Sequence, residues 1–337
     1  MILNGKQYIF HLAPMAELTT PALRKVVKKF TNGVVLYSEM LASGAINAKA
    51  PHNEPLIKRY DFDTPFFYQL VGNNPAIIAN ASAILQDYGC DGININMACS
   101  APHILKSGGG ANLLRDIKNA QEIIRACRKA VTCLLTVKMR AGFDDIDINF
   151  LKQFIGMLQD EGVDAVIIHP RAAKWGFARK AYWDIIGAIV TVAKFPIIGN
   201  GDITQPTLAL ERLQQTHCDG IMIGRAAVQK PWIFAQCDAA LQQQPLELSL
   251  NIEEIWIEVL ENIKEMLPQR LHKSRAHRFC AYYQKNCVFG HSLFSEIRKC
   301  ATIDEIVTLI KQYFSRNSNE KVLMYRLNYT NKSVFIP

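Results

Sequence analysis

The chain has 337 residues, of which 49% are hydrophobic and 20% are charged, a composition that excludes a disordered protein and allows more than one domain. Its nine scattered cysteines form no CxxC pair and no zinc-like cysteine–histidine cluster, so we expect free thiols, as in the cytoplasm, and no metal site. No signal-peptide or membrane-spanning pattern occurs, so we expect no membrane contact. The net charge of +8 arises from Met266 onward, where there are 12 Lys and Arg and four acidic residues; the preceding part of the chain has 26 basic and 26 acidic residues. This basic tail indicates a polyanionic partner.

Eight short apolar runs with strand character alternate with segments of helical periodicity. Most of these runs are continuous rather than alternating, as in parallel strands that are covered by helices. The predicted strands are Tyr8–Met15, Gly33–Met40, Pro65–Gly72, Gly92–Ala98, Cys133–Arg140, Val163–Arg171, Phe195–Asp202 and Asp219–Ala226. The predicted helices among them include Pro75–Tyr88, Ile117–Ala130, Ile148–Glu161, Tyr182–Ala193, Thr204–Gln215 and Pro231–Leu241.

Eight strand–helix units over roughly 240 residues predict a (β/α)8 TIM barrel. A doubly wound sheet is disfavoured, because the first strand ends in Ala13-Pro14-Met15-Ala16 and not in a GxGxxG turn. After the barrel, Gln242-Gln243-Gln244-Pro245 reads as a linker. The sequence therefore predicts a barrel domain over residues 1–242 and a small, basic, all-α domain over residues 243–337, with helices Ile252–Leu267, about Ser274–Lys285 and about Ile303–Tyr313.

The fourth predicted strand ends in Asn96, and Cys99 follows three residues later, before a loop that contains Gly108-Gly109-Gly110. Cys99 is thus expected just past the carboxyl end of a parallel strand, which is where chemistry is placed in such folds. A buried structural cysteine beside a turn is the alternative interpretation.

Two further strand ends indicate a ligand with a phosphate group. Strand seven ends in Gly199-Asn200-Gly201-Asp202 and strand eight in Gly224-Arg225. Glycines allow backbone N–H groups to approach an oxyanion, and arginine can donate two hydrogen bonds to a phosphate. In barrels, the loops after strands seven and eight form the usual phosphate site.

Two cations share one face of strand five, namely Lys138 and Arg140. They form either a structural salt bridge or a contact to an anionic ring or substrate carbonyl, since buried cations are costly unless paired. At the next strand end, His169 is expected to join the polar ring formed by Gln69, Asn96, Lys138 and Asn200.

Short motifs occur in a fixed order along nearly the whole chain. They are Ala13-Pro14-Met15-Ala16, Gln69-Leu70-Val71-Gly72, Asn96-x-x-Cys99, Gly110-Ala111-x-Leu113-Leu114-Arg115-Asp116, Lys138-x-Arg140-x-Gly142, His169-x-Arg171, Asn200-Gly201-Asp202, Gly224-Arg225-Ala226 and Pro231-Trp232-Ile233-Phe234. This set resembles that of the tRNA-dihydrouridine synthases. The tail sequence Arg275-x-His277 followed by Tyr282-Tyr283 is similar to the basic helical domain of the same family.

The resemblance implies an FMN-dependent barrel, expected as a monomer, that reduces the C5=C6 bond of a D-loop uridine in tRNA with NADPH as electron source. By position, the cofactor-binding residues would be Ala13, Pro14, Met15, Gln69, Lys138, His169, Asn200, Gly201, Asp202, Gly224 and Arg225. Asn96, Arg140 and Arg171 would contact the substrate base, and Arg275 and Arg278 would bind the tRNA.

Cys99 occupies the position of the family's catalytic cysteine. Hydride passes from flavin N5 to uracil C6, and a thiol, which is mostly protonated at neutral pH, can protonate C5 as a general acid. The family typically has Asn-x-Gly-Cys-Pro here, whereas this chain has Ala98 before the cysteine and Ser100 after it.

Two other functions remain open on the sequence alone. One is an FMN barrel oxidoreductase that acts on a small molecule, which the basic tail disfavours. The other is a tRNA-binding homologue with reduced turnover, for which the replacements at Ala98 and Ser100 are the sequence support.

Overall fold

The computed structural model describes residues 1–3, 5–49, 54–176 and 178–328. Eight parallel strands follow one another around a closed barrel, and the last strand pairs with the first. The strands are β1 Phe10–Leu12, β2 Val34–Ala42, β3 Phe66–Val71, β4 Gly92–Met97, β5 Leu134–Gly142, β6 Ala165–Ala172, β7 Ile197–Asn200 and β8 Gly220–Ile223. The TIM barrel predicted from the sequence is therefore confirmed, and each of the eight barrel strands overlaps a predicted one.

Eleven of the described helices have seven or more residues. They are α1 Pro21–Phe30, α2 Pro75–Asp87, α3 Ile117–Ala130, α4 Ile148–Asp160, α5 Asp184–Val190, α6 Pro206–Thr216, α7 Ile233–Gln242, α8 Ile252–Met266, α9 Gln269–Tyr283, α10 Gly290–Ile297 and α11 Ile303–Arg316. Shorter helices are Ser43–Asn47, Glu54–Ile57, Pro102–Lys106 and Arg225–Gln229, and 3-10 turns are Gly110–Arg115, Ala173–Trp175, Gln284–Asn286 and Ser318–Glu320.

Side-chain caps explain where the predicted helices begin. Asn74 accepts a hydrogen bond from the N–H of Ile77 ahead of Pro75, and Asp116 accepts one from Asn119. These bonds satisfy donors that the first helical turn leaves without partners. In α3 the buried residues recur at helical spacing, so one face packs inward while basic residues lie in the last turn.

The chain divides into two compact units. The first contains Met1–Pro14, Val34–Ile203 and Glu211–Gly224, and the second contains Met15–Gly33, Thr204–Leu210 and the chain from Arg225 onward. The first unit holds all eight barrel strands. The domain boundary predicted at residue 242 stays a prediction.

The second unit has an aromatic core. Tyr283 lies 5.2 Å from Trp256, 5.1 Å from Phe279 and 6.4 Å from Trp232, measured between ring centroids. The Tyr283 hydroxyl donates to the carbonyl of Ile252 at 3.2 Å, which satisfies the buried polar end of the ring. The helical character predicted for the end of the chain is thus present.

A two-stranded antiparallel ribbon in the second unit was not anticipated. It pairs β9 Leu246–Asn251 with β10 Val322–Leu327. The segment after the predicted Gln-rich linker therefore begins with a strand before α8. Within the described ranges, no helix combines the length and the apolar character needed to span a bilayer.

Candidate active site

Cys99 lies two residues beyond the end of β4, and three backbone contacts hold the loop that carries it. The N–H groups of Ala98 and Cys99 both donate to Asn96 Oδ1 at 2.9 Å, and the N–H of Ala111 donates to the carbonyl of Cys99, also at 2.9 Å. Gly110 has a φ of +59°, and a Cβ there would lie 2.6 Å from the Cys99 carbonyl oxygen. Glycine is therefore required at 110, both for this close approach and for its backbone conformation. The Cys99 thiol is free and partly exposed.

The replacement of glycine by Ala98 causes no conflict with the backbone. Ala98 is not among the described residues with positive φ, so an L-residue fits there without strain. Its carbonyl accepts a hydrogen bond from Arg140 Nε at 3.3 Å. The turn is held through Asn96 and Ala111, and neither contact requires a proline at position 100.

Two of the predicted polar residues are joined directly. Asn96 Nδ2 donates to Gln69 Oε1 at 2.8 Å, and both side chains are buried. Sequence reasoning did not single out two further buried polar residues of the barrel, Asn94 and Thr136, which bond to each other at 2.8 Å. A signal for Asn94 was present, because it is two residues before Asn96 in a strand and so lies on the same face.

Lys138 is buried beside two other functional candidates. It is the cross-strand partner of Asn96 in β5, and it interacts electrostatically with Arg140 and Cys99. Burial, and then the nearby positive charge of Arg140, lower the pKa of Lys138 to about 7, while Cys99 opposes this change. Lys138 makes no hydrogen bond or ion pair with the described residues. A buried ammonium group in this condition is typical of a site that binds a ligand.

Arg140 is bound by backbone carbonyls. It donates to Ala98, to Ala172 at 3.3 Å and to Gly176 at 3.2 Å. Burial, and then Arg171, lower the pKa of Arg140 to about 10, so it stays positively charged at neutral pH. The structural salt bridge that the sequence left open is not seen for Lys138 among the described residues.

His169, Arg171 and Asp202 form a second cluster. Arg171 donates through Nη2 to Asp202 Oδ2 at 2.5 Å and through Nη1 to His169 Nε2 at 3.0 Å. Because a guanidinium can only donate, His169 Nε2 must accept, and the proton of the neutral imidazole is then on Nδ1. Gly201 has a φ of +141°, and a Cβ there would lie 3.0 Å from His169 Cδ2. Glycine at 201 therefore permits the close packing of the imidazole.

The residues predicted to bind the cofactor's phosphate lie at successive strand ends. Asn200 is the last residue of β7, and its Nδ2 donates to the carbonyl of Met222 at 2.8 Å. Asp202 has a φ of +55° and accepts from the N–H of Ala181 as well as from Arg171. Gly224 follows β8 directly, and Arg225 opens the short helix Arg225–Gln229.

The residues predicted near the flavin ring from the first motif follow β1. Ala13 is buried, and its N–H continues the barrel ladder by donating to Ile223 at 2.9 Å. Pro14 and Met15 come next and are partly buried. Their assignment to the cofactor stays a prediction.

The two tail arginines have different environments within the second unit. Arg275 is buried and pairs with Glu17 at 3.0 Å, whereas the side chain of Arg278 is 53% exposed and pairs with the same carboxylate at 2.5 Å. Of the two, Arg278 has the exposure that a phosphate contact needs. In the described part of the chain, no group of three or more His, Cys, Asp or Glu could hold a metal ion.

Comparison with known proteins places the chain among one group of enzymes. Residues 11–318 match the family described as "Dihydrouridine synthase (Dus)". The chain is 37% identical over 226 residues to a probable tRNA-dihydrouridine synthase of Rickettsia prowazekii, covering 67% of this chain and 68% of the relative. It is 27% identical over 311 residues to tRNA-dihydrouridine synthase B of Pseudomonas aeruginosa, covering 91% and 93%.

The fold is also shared with a solved structure of low sequence similarity. The 6-hydroxypseudooxynicotine amine oxidase of Pseudomonas geniculata matches with a TM-score of 0.54 and 15% identity. The match covers 69% of this chain and 47% of that longer protein, so it spans about half of the solved chain. At this level of identity the likeness concerns the barrel fold alone.

Proposed function

The chain belongs to the dihydrouridine synthase family, and from this premise we propose that it reduces the C5=C6 bond of a D-loop uridine in tRNA, with a flavin cofactor. The observation that carries the proposal is the position of Cys99, which is fixed just past a barrel strand and beside the buried cations Lys138 and Arg140. A thiol supplies a proton, and buried cations favour a ligand with negative charge.

The residues of the barrel fit a flavin. Lys138 is a buried lysine that forms no ion pair with the described residues, so its amino group can donate to a ring nitrogen or carbonyl of the flavin. The Nε2 atom of His169 accepts from Arg171, so a neutral imidazole there carries its proton on Nδ1. When bound, the flavin supplies the hydride that is added to C6 of the uracil.

We assign the cofactor to FMN. The chain has no GxGxxG fingerprint for a dinucleotide, and a single set of strand ends offers a phosphate site. The flavin ring would be contacted by Lys138, Gln69 and His169, together with Ala13, Pro14 and Met15. The phosphate end would be held by Asn200, Gly201, Asp202, Gly224 and Arg225.

The protein's own part in the reaction is to orient the base and to supply the second hydrogen. Asn96, Arg140 and Arg171 are the candidates for contacts to the uracil. Addition of hydride to C6 places negative charge on the C5 side of the base, and Cys99 then donates its proton to C5. The result is a saturated C5–C6 bond and a thiolate next to Lys138 and Arg140, whose positive charges stabilise it.

The electron donor, the assembly state and the compartment are further parts of the proposal. NADPH is the expected reductant, the protein is expected to act as a monomer, and the cytoplasm is the expected location because the substrate is tRNA. The small-molecule oxidoreductase and the tRNA-binding homologue without turnover are the competing functions.

Purified protein should be yellow, release FMN on denaturation, and form dihydrouridine when it is supplied with NADPH and unmodified tRNA. Mass spectrometry of the digested tRNA measures the product, and mapping in a deletion strain identifies the uridine. A colourless protein that takes up no FMN contradicts both oxidoreductase readings. Flavin without any dihydrouridine formation would favour the small-molecule enzyme, and tRNA binding without flavin would favour the inactive homologue.

Replacement of Arg278 by glutamine should weaken tRNA binding and reduce the slope of log affinity against log salt by about 1, as expected when one phosphate contact is lost. The matched control is Lys152→Gln, since Lys152 is exposed on α4 in the other unit. Binding is measured across a salt series. Equal affinities and slopes for the Arg278→Gln variant and its parent would show that tRNA binds another surface.

A further inference from the structure

A continuous chain of buried hydrogen bonds joins three neighbouring barrel strands. Asn96 Nδ2 donates to Gln69 Oε1 at 2.8 Å, and Gln69 Nε2 donates to Asn94 Oδ1 at 2.7 Å. Asn94 Nδ2 then donates to Thr136 Oγ1 at 2.8 Å. All four side chains are buried, so none of these bonds is readily replaced by a bond to bulk water.

The direction of this chain is fixed at both ends. At one end, Asn96 Oδ1 accepts from the backbone N–H groups of Ala98 and Cys99. At the other end, Thr136 Oγ1 donates to the backbone carbonyl of Ile93 at 3.3 Å. A backbone N–H can only donate and a carbonyl can only accept, so both ends require the same orientation of the three amides between them. This agreement settles the orientations of Gln69 and Asn94, which each of these amides taken alone would leave open.

We infer that Asn96 is a positioning residue for Cys99, and that Thr136, acting through Asn94 and Gln69, keeps the carboxamide oxygen of Asn96 turned toward the Cys99 backbone. The inference rests on the proposed function, in which Cys99 donates the proton. If the Asn96 amide turned over, its NH2 group would face two backbone donors. The turn that carries Cys99 would then lose two of its three backbone contacts.

Thr136 is the informative position because it lies at the far end of the chain from Cys99. In Thr136→Val, Asn94 Nδ2 is left buried without its acceptor, and the amides between it and Cys99 lose their common orientation. Turnover at saturating tRNA should fall about tenfold, the rate equivalent of roughly one buried hydrogen bond, while KM for tRNA stays unchanged. Alkylation of Cys99 by iodoacetamide at fixed pH should become several-fold faster, because the turn opens more often.

Three comparisons separate positioning from a general loss of stability. Thr136→Ser keeps the hydroxyl and should restore both turnover and slow alkylation. Thr216→Val makes the same change at another buried threonine, whose hydroxyl donates to the backbone carbonyl of Arg212 at 2.7 Å, and should affect stability alone. Asn96→Ala removes the last member of the chain and also the proposed uracil contact, so its turnover does not report on positioning alone. Its alkylation, measured without tRNA, should be faster than in Thr136→Val, which keeps the test available if Thr136→Val does not fold.

Cys99 alkylation is followed by mass spectrometry of its peptide, so it reports on the turn whether or not the protein is active. The inference would be overturned if Thr136→Val kept the alkylation rate and the turnover of the parent protein. It would also be overturned if the variant lost flavin while its alkylation rate stayed unchanged. Absence of dihydrouridine formation by the parent protein would instead contradict the proposed function, and the alkylation rates would still decide the inference.

Discussion

Replacement of Cys99 by alanine should lower dihydrouridine formation by about 10²–10⁴-fold, the usual contribution of a general acid. The substitution removes the sulfur but keeps the backbone contacts to Asn96 and Ala111. Flavin content, NADPH oxidation and tRNA binding should therefore stay near those of the parent. Single-turnover formation of dihydrouridine, measured by mass spectrometry of digested tRNA, gives the size of the loss.

Cys90 provides the matched control for this substitution. It lies at the opposite, amino end of β4, is partly buried, and its thiol donates to the carbonyl of Leu85 at 3.9 Å. Cys90→Ala should cost some packing and little turnover. Full activity of Cys99→Ala on tRNA would mean that Cys99 is a packing residue and that the proton comes from water or another group.

Replacement of Lys138 by methionine should weaken flavin retention severely and should also change how the stability of the flavin-free protein depends on pH. Folding lowers the pKa of Lys138 from its ordinary value of ~10.5 to about 7. Between these two values the unfolded chain binds more protons than the folded one, so stability rises with pH across this window. Well below pH 7 Lys138 is charged in both states, and the full cost of its burial, on the order of a few kcal/mol, is present.

Methionine has no charge to bury, so the flavin-free Lys138→Met protein should be more stable than its parent below pH 7, with the difference shrinking as the pH approaches ~10.5. Denaturant unfolding at several pH values measures this difference, and fluorescence of released flavin measures retention. Lys152→Met, at an exposed position on α4, should leave both properties unchanged. Parallel stability curves for Lys138→Met and its parent would contradict the pKa lowering, and normal retention would remove Lys138 from the cofactor site.

The barrel could be predicted from the sequence because its signal is local. Each parallel strand is a short apolar run, and α3 was predicted with the same bounds that the structure shows, Ile117–Ala130. The ribbon was missed because β9 and β10 are far apart in the chain. Neither strand indicates its partner, and pairing between distant segments leaves no local pattern.

The side-chain contacts of the site could not be predicted from the sequence, for a related reason. The Arg171–Asp202 pair and the bond between Asn94 and Thr136 depend on the register of neighbouring strands. Sequence reasoning could therefore identify Lys138, His169 and Cys99 as candidates by type and strand position, but not their partners.

The ion pairs of Glu17 with Arg275 and Arg278 affect how strongly the protein attracts nucleic acid. A carboxylate from near the start of the chain neutralises part of a basic segment that seemed isolated in the sequence. Glu253 does the same for Lys321, and Glu247 for Arg326. Fewer counterions are then released when a polyanion binds than the number of basic side chains suggests. Long-range electrostatic attraction depends on the charges of the folded surface. Acidic side chains from distant parts of the sequence reduce the positive potential around the tail, so a tRNA would be attracted by the smaller net charge that remains.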